Sequence, residues 1–550
     1  MPAPSSPRRI RRVEGTILSF DDRDGGPTCS SVDIVDGRIH GVDLPRGAGS
    51  GASDEVFVAG DGVVLPGLID AHLHLILGGL SLTALDLSGV TSRAAFEAAI
   101  AARHAELPAQ AWLEAIGWSE ANWPGREAPD HTWLAAAGNR PAIAWRMDHH
   151  ACLVNRPVLE ALDLRGDPPG GRIVRAADGS PSGLLQEAAA WDLARPRVPS
   201  PTVEQKRVAV LAAQRLLNRV GLTTVGSMEN AEDLRTVIDP LRRELSVRIQ
   251  ATLMDRNWLD GAPPQAHPEA HPKAHPEAHP EAHPQARTAG LALAACVSGD
   301  EWLAIIGFKA FLDGTLGSRT ARMLDGYSDD CSNHGTFVEL AESGRLGEWI
   351  RAVSECGLSP SMHAIGDAAL RLALDAADLV PEAHVRIEHA QTAHPRDVVR
   401  SRGRWLSMQP LHKADDGRYA HHRLGPERMD RFFVFRDFLS AGAHMAFGSD
   451  WPIVSPDPLR GVRAAVTGLT LAGEPVATRQ NLRPVEALLA YTRDAAACLR
   501  CEDRGVIRPG ALADFTILSH DPMTADWIND PPTVVATIVG GVVVHQHAPR

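Results

Sequence analysis

The stretch "WLAIIGFKAFLDG" at residues 302–314 is a run of apolar residues with one lysine, Lys309, in its middle. Such a run is typical of a strand that is buried on both faces, as in a parallel sheet covered by helices. Burying an ammonium group without a partner costs so much that the lysine usually gives up its proton instead. The stretch therefore predicts a buried barrel strand that carries an unusual lysine.

Similar apolar runs recur along the chain and alternate with helical patterns, which is typical of βα units and a parallel sheet. The other candidate strands are residues 63–75, 222–228, 247–253, 358–364, 385–391, 404–410 and 444–450. Eight such units predict an α/β fold built on a closed (β/α)8 TIM-type barrel.

The spacing of these strands also predicts the domain organisation. The gap after the first strand is far longer than one helix, so residues from about 78 to 205 are expected to form an inserted subdomain rich in Trp and Pro. Short strand-like pieces between Gly and Asp turns at both ends predict a small β-sandwich in which the termini meet. The expected boundaries are 1–65 and 501–550 for the two parts of the sandwich and 66–500 for the barrel.

Composition narrows the class of protein. The 550 residues are 44% hydrophobic and 22% charged, which is typical of a globular protein. The net charge of −13 argues against a nucleic-acid partner. We find no apolar run of the roughly 18 residues that a membrane helix needs, and no signal peptide, so we expect a cytoplasmic protein. The seven cysteines are expected to be reduced, and the CxxC of Cys498 and Cys501 to be packed in a helix rather than to bind metal.

A low-complexity segment, "AHPEAHPKAHPEAHPEAHPQA" at 266–286, repeats every four residues. Its histidines are His267, His271, His275, His279 and His283. A proline at every fourth position forbids a helix interior, so a polyproline-like or disordered surface loop is expected. Loose metal binding by this loop is the alternative interpretation.

Polar residues follow five of the predicted strands at their C-terminal ends, the face where TIM-barrel enzymes carry their chemistry. They are His72 and His74 in "DAHLHL", Lys309, His363 in "MHAIGD", His389 in "RIEHAQ" and Asp450 in "FGSDWP". His72 and His74 are two residues apart in a strand, so both face the same way and together can chelate an ion such as Zn²⁺. Taken singly, each of these residues has an ordinary explanation, since a histidine at a strand end is more often hydrogen-bonded in the core than a metal ligand, and Lys309 could be an ordinary buried lysine. Their order and their shared position at strand ends argue against coincidence.

The same segments resemble a known family. "LPGLIDAHLHL", "WRMDHHACLVN", "FKAFLDGTLGSRTA", "HAIGD", "RIEHAQ", "SMQPLH", "FGSDWPIVSPDPL" and "RGVIRPGALADFTIL" are similar to motifs of the amidohydrolase superfamily. The branch they resemble is amidohydrolase family 3, which contains YtcJ-like and N-substituted formamide deformylase-like hydrolases. The resemblance covers nearly the whole chain.

This resemblance implies a site for two divalent metal ions, with zinc expected. His72, His74 and Asp450 are expected to hold one ion, and His363 and His389 the other. Lys309 is expected to bridge the ions after its amine has reacted with CO₂ to form a carbamate. If Lys309 is unmodified, a single-metal site at either position becomes the expectation. The ions lower the pKa of a bridging water from about 16 towards 7, and Asp450 is the expected catalytic proton shuttle.

Substrate contacts are expected from further residues near the strand ends. They are His150, Asp313, Arg319, Gln409, His412 and Trp451, with Trp118 and Trp123 as further parts of an aromatic wall. The alternative for "DGTLGSR" is a turn that caps the next helix. His149 stands where the family pattern leads us to expect glycine, so the local backbone there is open to question.

The predicted function is a metal-dependent amidohydrolase that cleaves a non-peptide C–N bond in an amide, formamide or N-acyl small molecule by attack of a metal-bound hydroxide. The alternatives are an ester or lactone hydrolase, a deaminase of the same superfamily, and a metal-free scaffold. "MHAIGD" carries Asp367 where the mononuclear deaminases carry a glutamate, which argues against deamination. A homodimer is a reasonable expectation for the assembly. Because loops and the insert shape the cavity, the substrate itself is not predicted.

Overall fold

A computed structural model of the chain describes residues 8–21, 27–44, 55–109, 111–120, 123, 127–147, 149–162, 164–168, 170–255, 258–260 and 282–547. The strands, in chain order, are β1 Arg12–Leu18, β2 Pro27–Val35, β3 Arg38–Val42, β4 Val56–Pro66, β5 Leu68–Leu73, β6 Leu85–Asp86, β7 Leu113–Trp118, β8 Ala142–Arg146, β9 Ala151–Val154, β10 Gly171–Arg175, β11 Pro181–Glu187, β12 Leu222–Glu229, β13 Arg248–Leu253, β14 Leu303–Phe311, β15 Ser359–Ala364, β16 Arg386–His389, β17 Trp405–Met408, β18 His444–Phe447, β19 Phe515–Leu518, β20 Val534–Val539 and β21 Val542–Gln546.

The helices, in chain order, are α1 Leu75–Ser81, α2 Arg93–Glu106, α3 Arg156–Glu160, α4 Val203–Arg219, α5 Ala231–Asp233, α6 Ala282–Ala294, α7 Glu339–Ser343, α8 Leu346–Glu355, α9 Asp367–Asp378, α10 Pro395–Arg400, α11 Pro410–Asp416, α12 Ala420–Leu424, α13 Phe435–Ala441, α14 Pro458–Thr467, α15 Pro484–Ala490 and α16 Arg493–Cys498. Short 3-10 or π segments cover His131–Ala137, Ala189–Ala194, Arg195–Arg197, Leu234–Ile238, Asp239–Glu244, Trp258–Asp260, Pro426–Arg431 and Thr478–Gln480.

Eight parallel strands form the predicted barrel. Their order in the sheet is β5, β12, β13, β14, β15, β16, β17 and β18, which is also their order in the chain. The two ends of this sheet lie side by side, because the backbone N–H of Asp450, just after β18, donates to the carbonyl of His72 in β5 at 2.6 Å. The prediction of a (β/α)8 barrel is confirmed, and each predicted strand overlaps an observed one.

The barrel helices follow from local sequence signals. Helix α4 begins with a capping box, in which the Thr202 hydroxyl accepts from the Gln205 N–H and the Gln205 side chain accepts from the Thr202 N–H. Helix α8 buries Leu346, Ile350 and Val353, which recur at helical spacing. These apolar faces pack on the outside of the barrel and leave its strand ends free to carry polar residues.

The predicted strand 63–75 is in fact two strands. Strand β4 ends at Pro66 in the sheet formed by the chain ends, and β5 begins at Leu68 in the barrel. Gly67 lies between them, where a Cβ would lie 2.1 Å from Thr223 Oγ1. The two sheets approach so closely at this point that only glycine fits. An apolar run in the sequence does not reveal that the chain passes from one sheet to another within it.

The two ends of the chain meet as expected. They form one seven-stranded sheet in the order β21, β20, β19, β4, β1, β2 and β3. Strand β4 joins the two ends, because it pairs with β1 in parallel and with β19 in antiparallel. The assignment of these ends to a β-sandwich with boundaries at 65 and 501 stays a prediction.

An inserted subdomain lies between β5 and β12, as expected. It contains a six-stranded sheet in the order β10, β11, β9, β8, β7 and β6. Its aromatic residues mostly pack against one another: Trp118 and Trp133 are completely buried, and Trp123 stacks on Trp133 with 5.3 Å between ring centroids. Trp118 and Trp123 are therefore core residues of the insert.

Most of the His-Pro repeat lies outside the described residues. Its last part is described, and there α6 begins at Ala282, so Pro284 occupies the first turn of a helix. The expectation that the repeat contains no helix is wrong for residues 282–286. The physical reason is that the first helical turn has no intrahelical partner for its N–H groups, so proline is tolerated there.

Candidate metal centre

His72 and His74 bring two imidazoles to the end of β5. His72 Nε2 and His74 Nε2 each lie 3.3 Å from Asp450 Oδ1. His72 Nδ1 donates to Glu388 Oε2 at 2.7 Å, which leaves the lone pair on Nε2, beside Asp450. The structure thus places two ring nitrogens and one carboxylate oxygen around a common point, as the sequence predicts.

His363 and His389 supply a second pair of imidazoles. Their ring centroids are 4.5 Å apart, and that of His389 is 5.1 Å from the ring of His72. His363 Nε2 donates to the carbonyl of Gly314 at 3.1 Å, and His389 Nδ1 donates to Gln409 Oε1 at 2.8 Å. These bonds leave His363 Nδ1 and His389 Nε2 with free lone pairs for a metal ion.

The backbone at the end of β16 explains how His389 reaches the cluster. In a regular strand, Glu388 and His389 would point to opposite faces. His389 instead has φ of +72° and Ala390 has φ of +43°, both in the left-handed region. This departure from strand geometry allows both side chains to contribute to the site.

Burial and neighbouring charges set the protonation states. Burial lowers the pKa of His363 and of His389 well below the usual value, and the nearby Lys309 lowers both further. Burial alone would raise the pKa of Asp450, but His72 and His74 hold it well below its usual range. Burial and Lys309 act to lower the pKa of His72, but Asp450 and Glu388 raise it above the usual value, so this ring releases a proton when it binds a divalent ion.

Lys309 in β14 is 7% exposed. Within the described part of the chain its Nζ makes no hydrogen bond or ion pair, and it lies 5.2 Å from the centre of the Phe311 ring. Burial lowers its pKa to about 8, although the carboxylates of Glu388 and Asp450 act in the opposite direction. Lys309 is therefore a buried lysine whose amine readily becomes neutral.

Glu388 is a functional residue that the sequence analysis missed. It is completely buried and accepts from His72 Nδ1, from Ser361 Oγ and, at 3.0 Å, from Arg386 Nη2. Burial alone would raise the pKa of Glu388, but Arg386 and His72 hold it well below its usual range. Arg386 and Glu388 are two residues apart in a buried strand, the same alternation that identified His72 and His74.

This donor set fits divalent metal ions. Donor atoms of His72, His389 and Asp450 all lie within 4.8 Å of one another, and all three residues are buried. His74, His363 and Lys309 flank this group, with the contacts given above. Imidazole nitrogens with one carboxylate are ligands that zinc accepts, and the hydrogen bonds that His72 and His389 donate to Glu388 and Gln409 orient these two rings.

His150 reaches the site from the insert. Its ring centroid is 5.5 Å from that of His363, and its Nδ1 lies 2.8 Å from Glu187 Oε2. Glu187 is 1% exposed and was missed by the sequence analysis. His149 has φ of +53°, the region that favours glycine, so the backbone takes the shape that the expected glycine would give.

Asp313 and Arg319 occupy different places on the loop after β14. Asp313 is completely buried, and its carboxylate accepts from the backbone N–H groups of Ile365, Gly366 and Arg322. This geometry favours the turn interpretation of "DGTLGSR", with Asp313 fixing the loop beside His363. Arg319 points away towards Asp329, to which it donates at 3.1 and 2.8 Å.

The other predicted substrate contacts have distinct surroundings. Gln409 is completely buried and orients His389, as described above. His412 stacks on His389 with 6.2 Å between ring centroids, and its buried Nε2 has no hydrogen-bond partner among the described residues. Trp451 packs against Gly78 of α1, where a Cβ would come within 2.2 Å of the indole. Substrate binding by these residues stays a prediction.

Comparison with known proteins agrees with this geometry. A family model described as "Amidohydrolase family" matches residues 55–545. The chain is 32% identical to "Protein LONG AFTER FAR-RED 3" of Arabidopsis thaliana over 96% of this chain and 90% of that protein. It is 32% identical to "Putative amidohydrolase YtcJ" of Bacillus subtilis (strain 168) over 96% of this chain and 98% of that protein.

A more distant relative and a solved structure extend the comparison. The chain is 25% identical to "N-substituted formamide deformylase" of Arthrobacter pascens, over 94% of each chain. An uncharacterized metal-dependent hydrolase from Pyrococcus horikoshii superposes with a TM-score of 0.72 at 25% identity, over 94% of this chain and 99% of that one. The barrel, the buried histidine and aspartate cluster and these matches together show that this chain belongs to the amidohydrolase family of metal-dependent hydrolases.

Proposed function

We propose that the protein hydrolyses a non-peptide C–N bond in a small amide, formamide or N-acyl compound, with two divalent metal ions, expected to be zinc. The observation that carries this proposal is the convergence of His72, His389 and Asp450 donor atoms within 4.8 Å at the C-terminal end of the barrel. A relative that is named as an N-substituted formamide deformylase supports the choice of a C–N bond.

Each ion has its own residues in this proposal. His72, His74 and Asp450 would hold one ion, and His363 and His389 would hold the other. Carboxylated Lys309 would be a ligand shared by the two ions. Its neutral amine attacks the carbon of CO₂, an N–C bond forms while one C=O π pair moves to oxygen, and the nitrogen loses a proton to solvent, so both carbamate oxygens come from CO₂. The lowered pKa of Lys309 favours this step, because only the neutral amine carries the lone pair that attacks.

When bound, divalent ions lower the pKa of a coordinated water and polarise a carbonyl. Asp450 is ionised and faces the two imidazoles, so it accepts the proton of the attacking water and passes it to the leaving nitrogen. In this proposal His150 and His412 donate hydrogen bonds to the substrate, one from the insert and one from α11. A leaving amine must be protonated, which makes Asp450 essential for amide cleavage.

Two other reactions compete with this proposal. Ester and lactone cleavage needs the same nucleophile and differs only in the leaving group. Deamination is disfavoured by the surroundings of Asp367, whose carboxylate accepts from the Leu324 N–H at 2.8 Å and lies 3.3 Å from Arg431. Asp367 is therefore engaged in structural contacts.

Metal analysis of protein purified without a His tag tests the proposal. We expect about two ions per chain in the wild type, loss of metal in Lys309→Met, and retention in a variant that lacks residues 266–286. Lys413→Met is the matched control, because Lys413 is also a buried lysine whose pKa burial lowers to about 8. Isotope-labelled bicarbonate is expected to give a carbamate carbon signal in the wild type and in Lys413→Met only.

A substrate screen completes the test. Formamides, N-acyl amines, esters and lactones are incubated with the metal-loaded protein, and Asp450→Asn is the inactive control. Release of an amine from the nitrogen substrates supports the proposal. Metal that is lost with residues 266–286 while the barrel stays empty would refute it, and cleavage of esters alone would refute the assignment to C–N bonds.

Cytoplasmic location, a homodimeric assembly and the absence of a nucleic-acid partner stay predictions. Among the residues that the structure describes, the helices are all too short or too polar to cross a bilayer.

A further inference from the structure

Two cavities adjoin each other between the insert and the barrel loops. The larger has a volume of about 550 Å³, and Glu187 and Thr320 lie on its wall. The smaller has a volume of about 260 Å³ and includes Arg146 and Arg423 in its wall. The residues that line both cavities are Gln186, Ser318 and Arg319.

A hydrogen bond connects the wall of the larger cavity to a neighbour of the metal centre. Glu187 on its wall holds His150, whose ring faces His363 at 5.5 Å between centroids. Glu187 also accepts from Thr320 on the loop after β14. Gln186, the neighbour of Glu187 in β11, lines both cavities, so the smaller cavity adjoins the larger one beside the pair formed by His150 and Glu187.

The wall of the smaller cavity carries three guanidinium groups. Arg146 and Arg423 are 3% and 6% exposed, and Arg319 is half-buried. Arg319 and Arg423 share one carboxylate, that of Asp329, to which Arg423 Nη1 donates at 2.5 Å. One carboxylate does not neutralise two guanidinium groups, so positive charge is in excess here.

The remaining acidic groups on this wall leave that excess in place. Glu120 Oε2 lies 3.3 Å from Arg146 Nε. Glu127 is largely exposed and pairs with Arg93 at 3.2 Å. Burial lowers the pKa of Arg423, and the positive charges of Arg319 and Arg146 lower it further.

Gly317 lies in close contact with these groups. Its carbonyl accepts from Arg423 Nη2 at 3.2 Å. A Cβ at Gly317 would lie 2.7 Å from Arg146 Nη1 and 2.9 Å from Tyr419 Oη. The missing side chain therefore lets the Arg146 guanidinium and the Tyr419 phenol approach this backbone, which fixes the place of Arg146 on the cavity wall.

We propose that the smaller cavity is a carboxylate subsite, which binds an acidic group of the substrate at the end remote from the bond that is cleaved. This inference rests on the proposed function and narrows its substrate class to amides or N-acyl compounds that carry a carboxylate. The planar fork of a guanidinium matches a carboxylate in shape and charge, and buried pairs of this kind are stronger than exposed ones.

Calorimetry tests the subsite independently of catalysis. Benzoate is titrated into the metal-loaded protein, with benzamide as the neutral control. We expect benzoate to bind and benzamide not to bind, and we expect benzoate affinity to fall about tenfold or more in Arg423→Gln. Gly317→Ala removes no charge but pushes the Arg146 guanidinium and the Tyr419 hydroxyl away from this backbone, so it is expected to weaken binding similarly. It serves as the second test if Arg423→Gln does not fold. Arg460→Gln, an exposed arginine on α14, is the matched control and is expected to bind as the wild type does.

Substrate selectivity tests the assignment to the substrate. We compare kcat/KM for 4-(formamidomethyl)benzoate with that for its neutral carboxamide. The acid is expected to be preferred about tenfold or more, and this preference is expected to vanish in Arg423→Gln and Gly317→Ala. Benzoate binding that neither variant alters would overturn the subsite. Arginine-dependent benzoate binding without any preference for the acidic substrate would overturn its assignment to the substrate.

Discussion

Glu388→Gln is expected to damage stability and metal binding through two separable effects. The wild-type carboxylate accepts three hydrogen bonds, from His72, Ser361 and Arg386, and it is the counter-charge of a completely buried arginine. A glutamine has one acceptor oxygen and a donor NH₂ group, so one of these donors faces another donor. Arg386 also loses its ion-pair partner.

The size of the effect follows from this burial. Removing one partner of a buried ion pair costs about 3–5 kcal/mol. Loss of the group that orients a metal-binding histidine typically lowers metal affinity about 10–100-fold. We therefore expect the free energy of unfolding of metal-free Glu388→Gln to be about 3–5 kcal/mol lower than that of the wild type. Its zinc affinity is expected to be about 10–100-fold lower.

Urea denaturation of the metal-free protein and competition with a zinc chelator measure the two effects. Ser361→Ala is the matched control, because it removes one hydrogen bond to the same ionised carboxylate but leaves the ion pair with Arg386. It is expected to cost about 1.5–3 kcal/mol. The double variant Arg386→Met/Glu388→Gln is expected to recover most of the stability but not the zinc affinity. Wild-type stability together with wild-type zinc affinity in Glu388→Gln would refute the reasoning.

Three further predictions concern the scaffold. Burial raises the pKa of Glu229 to about 7, so the folded state binds more protons than the unfolded state between about pH 4.5 and 7. As the pH rises through this window, the free energy of unfolding of the metal-free wild type is therefore expected to fall by about 3 kcal/mol relative to that of Glu229→Gln. Equal pH profiles of the two proteins in urea titrations would contradict this prediction. Gly67→Ala is expected to lower the free energy of unfolding by about 1–3 kcal/mol through overpacking against Thr223, and the double variant Gly67→Ala/Thr223→Ala is expected to recover part of this loss. Unchanged urea denaturation of the single variant would argue against the close approach of the two sheets. Trp133→Ala is expected to lower the stability of the insert by about 3–5 kcal/mol, because it empties part of a buried core, while the metal content stays at the wild-type level. Limited proteolysis and metal analysis measure the two effects, and simultaneous loss of the metals would show that insert and barrel are coupled.

Much of the barrel was predictable because strand burial leaves a strong local signal. The run at 302–314 and its seven counterparts are apolar on both faces, and each overlaps a strand of the observed sheet. The candidate metal ligands were predictable for a related reason. They stand at strand ends, and the C-terminal ends of parallel barrel strands meet at one face, so His72 and Asp450 come together although 378 positions in the chain separate them.

Other features depend on contacts between distant segments, and no local pattern encodes them. The change of sheet at Gly67 is set by the side chain of Thr223, and the role of Glu388 is set by His72, which lies in another strand. The left-handed backbone at His389 and His149 is likewise a consequence of tertiary packing, since histidine has no local preference strong enough to impose it.

The amino-acid sequence alone determined the barrel, the joined chain ends and the set of candidate ligands, because these follow from hydrophobic periodicity and from residue types at strand ends. Only the tertiary structure decided which nitrogen of each histidine is free, which carboxylates support the site, and where the arginines of the insert meet those of the barrel. These properties arise from the packing of the insert and the loops on the strand ends, where charged side chains that are far apart in the chain come into buried contact.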